Sequence, residues 1–145
     1  MECNIYQSVK EIGVSKIFVK KTIAYLLKGL RKDGELSVHF IGDRKMRNLN
    51  AEHRGIHRST DVLSFSAQEG SAVPLKHSDL GDIFISVPYI RRQAACWSVP
   101  YKEELTRMLI HGVLHNMGYD HKEEWQAKKM FELQERFLRK AVEHF

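Results

Sequence analysis

Three histidines, His111, His115 and His121, stand close together in the stretch HGVLHNMGYDH. His111 and His115 are four residues apart, which on a helix is a rotation of about 400° and a rise of about 6 Å, so both imidazoles face one side. Each can then reach a single ion at about 2.0 to 2.1 Å. Gly118 permits the left-handed conformation that ends a helix, and the turn after it brings His121 round as a third nitrogen donor. Three neutral imidazoles favour zinc, one ion per chain, although nickel, copper or ferrous iron accept the same donors. Three protein ligands leave a fourth position open, which is the arrangement of a catalytic rather than a structural zinc.

A zinc peptidase carries Glu directly after the first histidine, whereas this chain has Gly112. Amide cleavage needs a general acid for its poor amine leaving group, and no residue at that helix position can act as one. An open zinc position still lowers the pKa of water to about 7, so hydrolysis of another kind of bond is not forbidden. A phosphodiester requires positive charge to neutralise the phosphoryl oxygens. Arg44, Lys45, Arg47, Arg54 and Arg58, with His53 and His57, crowd a segment that holds one acid, Glu52. That segment is either a solvated helix face or a groove wall that tracks phosphates.

These side chains need a scaffold, and the chain is long enough to supply one. At 145 residues it is most simply one domain, residues 1–145. Hydrophobic content of 43% and charged content of 28% suit a folded globular protein rather than a disordered or membrane-embedded one. No segment has the apolar length of a membrane span. The stretch MECNIYQSVKEIGV lacks the features of a secretory signal, so a cytoplasmic location is expected. Cys3 and Cys96 form no CxxC pair, suit a reducing compartment and are expected to be buried or inert thiols. The net charge of +5 permits an anionic partner without demanding one.

Strand-like patterns occur in CNIYQSV near the start, ELSVHFIG at 35–42, TDVLSFS at 60–66 and GDIFISV at 81–87, which makes four strands. Between the first two, VSKIFVKKTIAYLLKGLRKDG carries a helical repeat that stops at KDG. DRKMRNLNAEHRG predicts a short helix with Asp43 as N-cap, Met46 and Leu49 on one face and Gly55 at its close. Residues 67–79 read as a loop around Gly70 and Pro74. Three helices follow, over about 88–97, 99–117 and 122–143, punctuated by Ser98, Pro100 and Gly118. In the last, Trp125, Met130, Leu133, Phe137, Leu138 and Val142 are read as a core-packing stripe.

With these residues in view, the chain resembles the YbeY family of metal-dependent endoribonucleases, which mature ribosomal RNA. LNAEHRGIHRSTDVLSFS at 49–66, LGDIFISV at 80–87 and HGVLHNMGYDH at 111–121 each resemble a family block, in the family's order and spacing. The resemblance implies an α+β fold: a mixed four-stranded sheet flanked by helices, with the metal site on a C-terminal helix and the turn after it. It implies zinc on His111, His115 and His121, with His111 also counted as catalytic. It also implies single-stranded RNA as substrate, a role in 3′-end maturation of small-subunit rRNA and in ribosome quality control, and thus rRNA and the small ribosomal subunit as partners. Arg54 matches the family's functional arginine, and its guanidinium can grip two oxygens of a scissile phosphate; the plainer reading is an exposed arginine. Asn116, His53 and Ser66 depart from the family's usual leucine, tyrosine and proline, and the first of these can alter packing beside the metal.

Other polar residues carry two readings each. Asp120 either orients an imidazole N–H or makes a local turn bond. Asp61 and Asp82, expected at strand starts, either border the cleft or cap a turn. His57, Arg58, Ser59 and Thr60 either contact RNA backbone or serve turn chemistry. His39, His77 and His144 are read as structural or surface residues. The acid that protonates the leaving oxygen is unassigned, and no oligomeric state is implied. Two rival functions stand beside the nuclease: a zinc peptidase, disfavoured by Gly112, and a non-catalytic RNA-binding assembly module whose metal only staples the last helices together.

Overall fold

Leu36, Val38 and Phe40 alternate with more accessible residues and are themselves fully buried. The strand they form is one of four in the computed structural model, which describes residues 1–67 and 79–145. The strands are β1 (Glu2–Gln7), β2 (Glu35–Ile41), β3 (Val62–Phe65) and β4 (Asp79–Ser86). The helices are α1 (Lys16–Gly29), α2 (Asp43–Arg54), α3 (Val87–Cys96), α4 (Tyr101–Asn116) and α5 (Glu124–His144). The sheet order is β1-β2-β4-β3. β1, β2 and β4 run parallel and β3 is antiparallel to β4, so the sheet is mixed, as the resemblance implied. The parallel pair β1–β2 needs a crossover, and α1 provides it.

The larger core lies where α1, α3, α4 and α5 pack around Leu36, Val38, Phe40, Ile83 and Ile85. A smaller cluster of Ile41, Met46 and Leu63 lies under α2, joined by Leu49, Phe65 and Phe84. β3 is an edge strand. α4 packs beside it, which puts the histidine helix next to an open strand edge.

Several sequence expectations change in detail. α1 stops at Gly29 rather than running on toward Gly34, because Arg31 turns left-handed at φ 57° and Lys32 N–H donates back to Leu27 O at 2.9 Å; the Phe137 ring of α5 seats against Gly29, where a Cβ would lie 2.7 Å from it. Asp43 is not the N-cap of α2: Gly42 holds that place, and Asp43 is the first helical residue. Its carboxylate accepts from Ser59 Oγ at 2.7 Å and Ser86 Oγ at 3.0 Å and pairs with Arg92 at 2.7 Å. The Arg92 hydrogen bond is the main cause that holds this carboxyl below its ordinary range. Gly55 does close the helix, at φ 70°.

The stripe on α5 is Met130, Gln134, Phe137, Leu138 and Ala141. Trp125 and Val142 were expected in it, yet they are 67% and 39% exposed. The reason for the first is helical geometry: Trp125 precedes Met130 by five positions, about 500° of rotation, which leaves it roughly 140° off the buried line. Val142 lies in the last turn of the helix. Asp82 sits within β4 rather than at its start, because that strand begins at Asp79. His39 stacks between Tyr6 and Phe84 and hydrogen-bonds Asp82 at 2.8 Å, which is a packing role. Cys3 is buried and its thiol is pushed up to about 11 by burial, whereas Cys96 is exposed rather than buried. Residues 68–78, with most of the expected loop and His77, lie outside the described residues. Among the described residues no helix is long and apolar enough to cross a membrane.

Candidate metal centre and cleft

α4 carries His111 and His115 on its last turns and ends at a Schellman-type stop. Tyr119 N–H donates to Leu114 O at 3.0 Å and Gly118 N–H donates to His115 O at 3.0 Å. Gly118 holds φ 98°, a left-handed conformation that a residue with a Cβ adopts only under strain. The chain then reverses and His121 returns to the other two. Ring centroids are 4.9 Å apart for His111–His115, 4.9 Å for His115–His121 and 5.9 Å for His111–His121. One nitrogen from each lies within 4.8 Å of the others. Donor type and proximity therefore fit a divalent ion of the zinc class, and His121, on an exposed turn, has room to adjust.

Electrostatics point the same way. Burial, then the charges of His111 and His121, hold the His115 imidazole below its ordinary pKa; Arg54 adds to this and Asp120 opposes it. The neutral imidazole is the form a metal takes. Asp120 resolves to its turn reading, since its carboxylate accepts from the backbone N–H of His121 at 2.7 Å. That bond, ahead of Lys122, keeps its carboxyl below the ordinary range.

Sequence reasoning missed Gln134. It is buried on the core stripe of α5, and its Oε1 lies 2.7 Å from Nδ1 of His111. Its other end fixes the orientation: Nε2 donates to the Glu135 carboxylate at 3.2 Å, a group that can only accept. The amide oxygen therefore faces His111, Nδ1 carries the proton, and Nε2 keeps the lone pair a metal needs. The available signal was an amide interrupting an apolar stripe. Behind it, Arg107 bonds Glu135 at 3.0 Å and the fully buried Glu104 at 2.6 Å, while Gln93 Nε2 donates to Glu104 at 2.6 Å and to Asp61 at 3.3 Å. This network ties α3, α4 and α5 together from His111 back to the cleft wall.

Gln134→Leu is expected to leave His111 Nδ1–H without its acceptor and to weaken metal affinity by about 10- to 100-fold. Gln134→Glu restores the acceptor and most of the affinity. Competition against a chromophoric chelator reads both.

His111 and His115 open onto a cleft of about 750 Å³ that runs along β3, with Arg54, Asp61, Ser64, Ser66 and Asn116 among its walls. Arg54 is the last residue of α2. Its guanidinium donates to Ser64 O at 3.3 Å and lies 5.3 Å from the centroid of the Phe65 ring, so it is exposed and yet held toward the metal side of the cleft. The rest of the basic segment, Arg44, Lys45, Arg47, His53, His57 and Arg58, is exposed outside this lining. Ser59 and Thr60 bond Asp43 and Asp61, and the Asn50 amide donates to Arg58 O at 2.8 Å, so these residues serve the turn.

Gly112 faces the sheet. A Cβ on it would lie 3.0 Å from Ile83 Cγ2 and 3.0 Å from Ser64 Oγ, so the glycine is where α4 presses against the sheet. The neighbouring contact is Ser64 Oγ–H donating to Gly112 O at 3.1 Å. Asn116 uses its amide to reach the carbonyls of Phe65, Leu80 and Asp82 at 3.3, 3.2 and 3.4 Å. The polar substitution for leucine thereby fastens the end of α4 to both strands of the β3–β4 pair.

Comparison with known proteins agrees with this architecture. A family model described as Endoribonuclease YbeY matches residues 4–142. An Endoribonuclease YbeY from Persephonella marina is 38% identical over 94% of this chain and 92% of that relative. One from Shouchella clausii is 43% identical over 75% of this chain and 73% of its own length. A solution structure of a Thermotoga maritima protein superposes with a TM-score of 0.68 at 25% identity, covering 96% of this chain and 88% of that one.

Proposed function

The chain belongs to the YbeY family of endoribonucleases, and from that premise we propose that it is a zinc-dependent endoribonuclease that cuts single-stranded RNA. In this reading it acts in the cytoplasm on ribosomal RNA of the small subunit, in 3′-end maturation and in ribosome quality control. The observation that carries the chemistry is a cluster of three imidazoles, two of which line the same cleft as the Arg54 guanidinium.

His111, His115 and His121 would hold the ion, with Gln134 fixing the first of them. When bound, zinc supplies Lewis acidity that makes hydroxide available near neutral pH. The other requirement is charge on the phosphate. Arg54 offers two parallel N–H donors to the non-bridging oxygens, and its aromatic support from Phe65 limits the orientations the guanidinium can take. Such a clamp positions the phosphorus and also opposes the negative charge that builds on those oxygens. Gly112 supports the choice of phosphodiester over peptide, because it supplies no acid and a side chain there would press on Ile83 and Ser64 of the sheet.

The test compares wild-type protein with Arg54→Ala, measuring zinc content and cleavage of a defined single-stranded RNA in parallel. Arg54→Ala should keep stoichiometric zinc and lose about 100- to 1000-fold in cleavage rate, the usual consequence of deleting one donor to a developing oxyanion. Full cleavage by scrupulously metal-free protein would overturn the zinc reading. RNA binding with no cutting by wild type, together with unfolding on chelation, would favour the assembly module instead.

A further inference from the structure

α5 begins with a large aromatic side chain that the core does not use: Trp125 is 67% exposed. It lines a second cleft, of about 370 Å³, whose floor includes Met117 and Leu30. Gly118, Tyr119 and Asp120 belong to both clefts, so the turn that carries His121 is their common ridge. Lys32, from the α1–β2 connection, and Lys129, one helical turn beyond Trp125, stand in the same wall. The acid in that wall, Asp120, is engaged by the backbone N–H of His121 and faces Lys122 at 3.9 Å.

An exposed indole sharing a cleft with two ammonium groups suits a particular chemistry. The ring face accepts a planar base, and the lysines act as point charges for the adjoining phosphates. A metal ion is excluded by the two lysines, and a wholly apolar ligand would leave both ammoniums beside it without a counter-charge. We propose that this second cleft is a nucleotide subsite, in which a base of the single-stranded RNA stacks on Trp125 while Lys32 and Lys129 hold the adjoining phosphates. The strand would then cross the ridge at 118–120 between this base and the bond cut beside the histidines. The subsite rests on the reading of RNA as substrate and deepens it.

Trp97→Phe leaves Trp125 as the sole tryptophan, whose emission is read apart from that of the five tyrosines by exciting at the red edge of the indole band. Rapid mixing of the zinc-loaded protein with single-stranded oligoadenylate of about a dozen nucleotides should quench Trp125 before turnover. The same strand in a duplex, with its bases already stacked, should not. Trp125→Ala should raise KM for that oligonucleotide about tenfold or more, with zinc content stoichiometric, and Trp125→Phe should recover most of the loss. Lys32→Ala and Lys129→Ala should each reduce the slope of log affinity against log salt by about 0.7, the signature of one lost phosphate contact on a single strand. Absence of quenching, or an unchanged KM in Trp125→Ala, from a wild type that cuts the RNA overturns the subsite and leaves the nuclease reading intact. A wild type that neither binds nor cuts single-stranded RNA overturns both.

Discussion

His115→Ala is expected to abolish zinc binding and RNA cleavage together while leaving the fold in place. The loss follows from the donor set. Removing one of three nitrogens leaves His111 and His121, whose ring centroids are the farthest apart of the three pairs at 5.9 Å. Loss of a group that only orients a ligand already costs about 10- to 100-fold in affinity, so loss of a ligand should exceed the upper end of that range. The fold should survive because its main core is Leu36, Val38, Phe40, Ile83, Ile85, Leu105 and Leu109, none of which depends on an ion. α4 and α5 are held together besides by the Arg107–Glu135 pair, with Glu104 bracing Arg107 from within α4. Metal analysis, cleavage of a defined RNA and a thermal melt on the same preparation check all three expectations. A melt that collapses in both His115→Ala and chelated wild type would instead make the metal a structural staple.

How much of this was legible before the structure depended on whether the information was local. HGVLHNMGYDH announces its helix, its stop and its three donors through spacing and through Gly118, because helical rotation and a left-handed φ are both local properties. The four strands and the helices were readable from periodicity for the same reason. Non-local facts were not. The residues alone do not show that β4 lies between β2 and β3, and it is that order which makes β3 the edge strand flooring the cleft. Gln134 looked like an interruption of a stripe until α5 was seen packed on α4 with His111 opposite. Asp43 had the right type for a cap, but tertiary partners at Ser59, Ser86 and Arg92 claimed its carboxylate. The apolar spacing of α5 takes in Trp125 as a stripe residue, although its rotation of about 140° from the buried line at Met130 places it outside.

Gly112→Glu, the substitution that would write the peptidase pattern into this chain, is expected to unfold the protein rather than to confer peptidase activity. The position is buried, and the first carbon of any side chain already comes within 3.0 Å of Ile83 and Ser64. Alanine is therefore the mild case. It gains up to about 1 kcal/mol of helix propensity, but it must push α4 off the sheet or shift Ile83, an overpacking cost of about 1 to 3 kcal/mol. Glutamate adds a carboxylate at a buried position wedged against Ile83 and Ser64, which places it among the rare substitutions that cost more than about 4 kcal/mol. Against a total stability of about 5 to 15 kcal/mol for a domain of ordinary stability, such a loss leaves little or no margin. Denaturant titration of Gly112→Ala should show a lowered midpoint with unchanged slope, and Gly112→Glu should fail to accumulate as folded protein. A stable Gly112→Glu that binds zinc would mean that α4 can move away from Ile83, and the packing account of the glycine would be wrong. If it holds, the absent acid and the nuclease chemistry have one cause: the helix turns this position toward the sheet, so the charge that assists the reaction must come from elsewhere, and Arg54 at the end of α2 is placed to bring it.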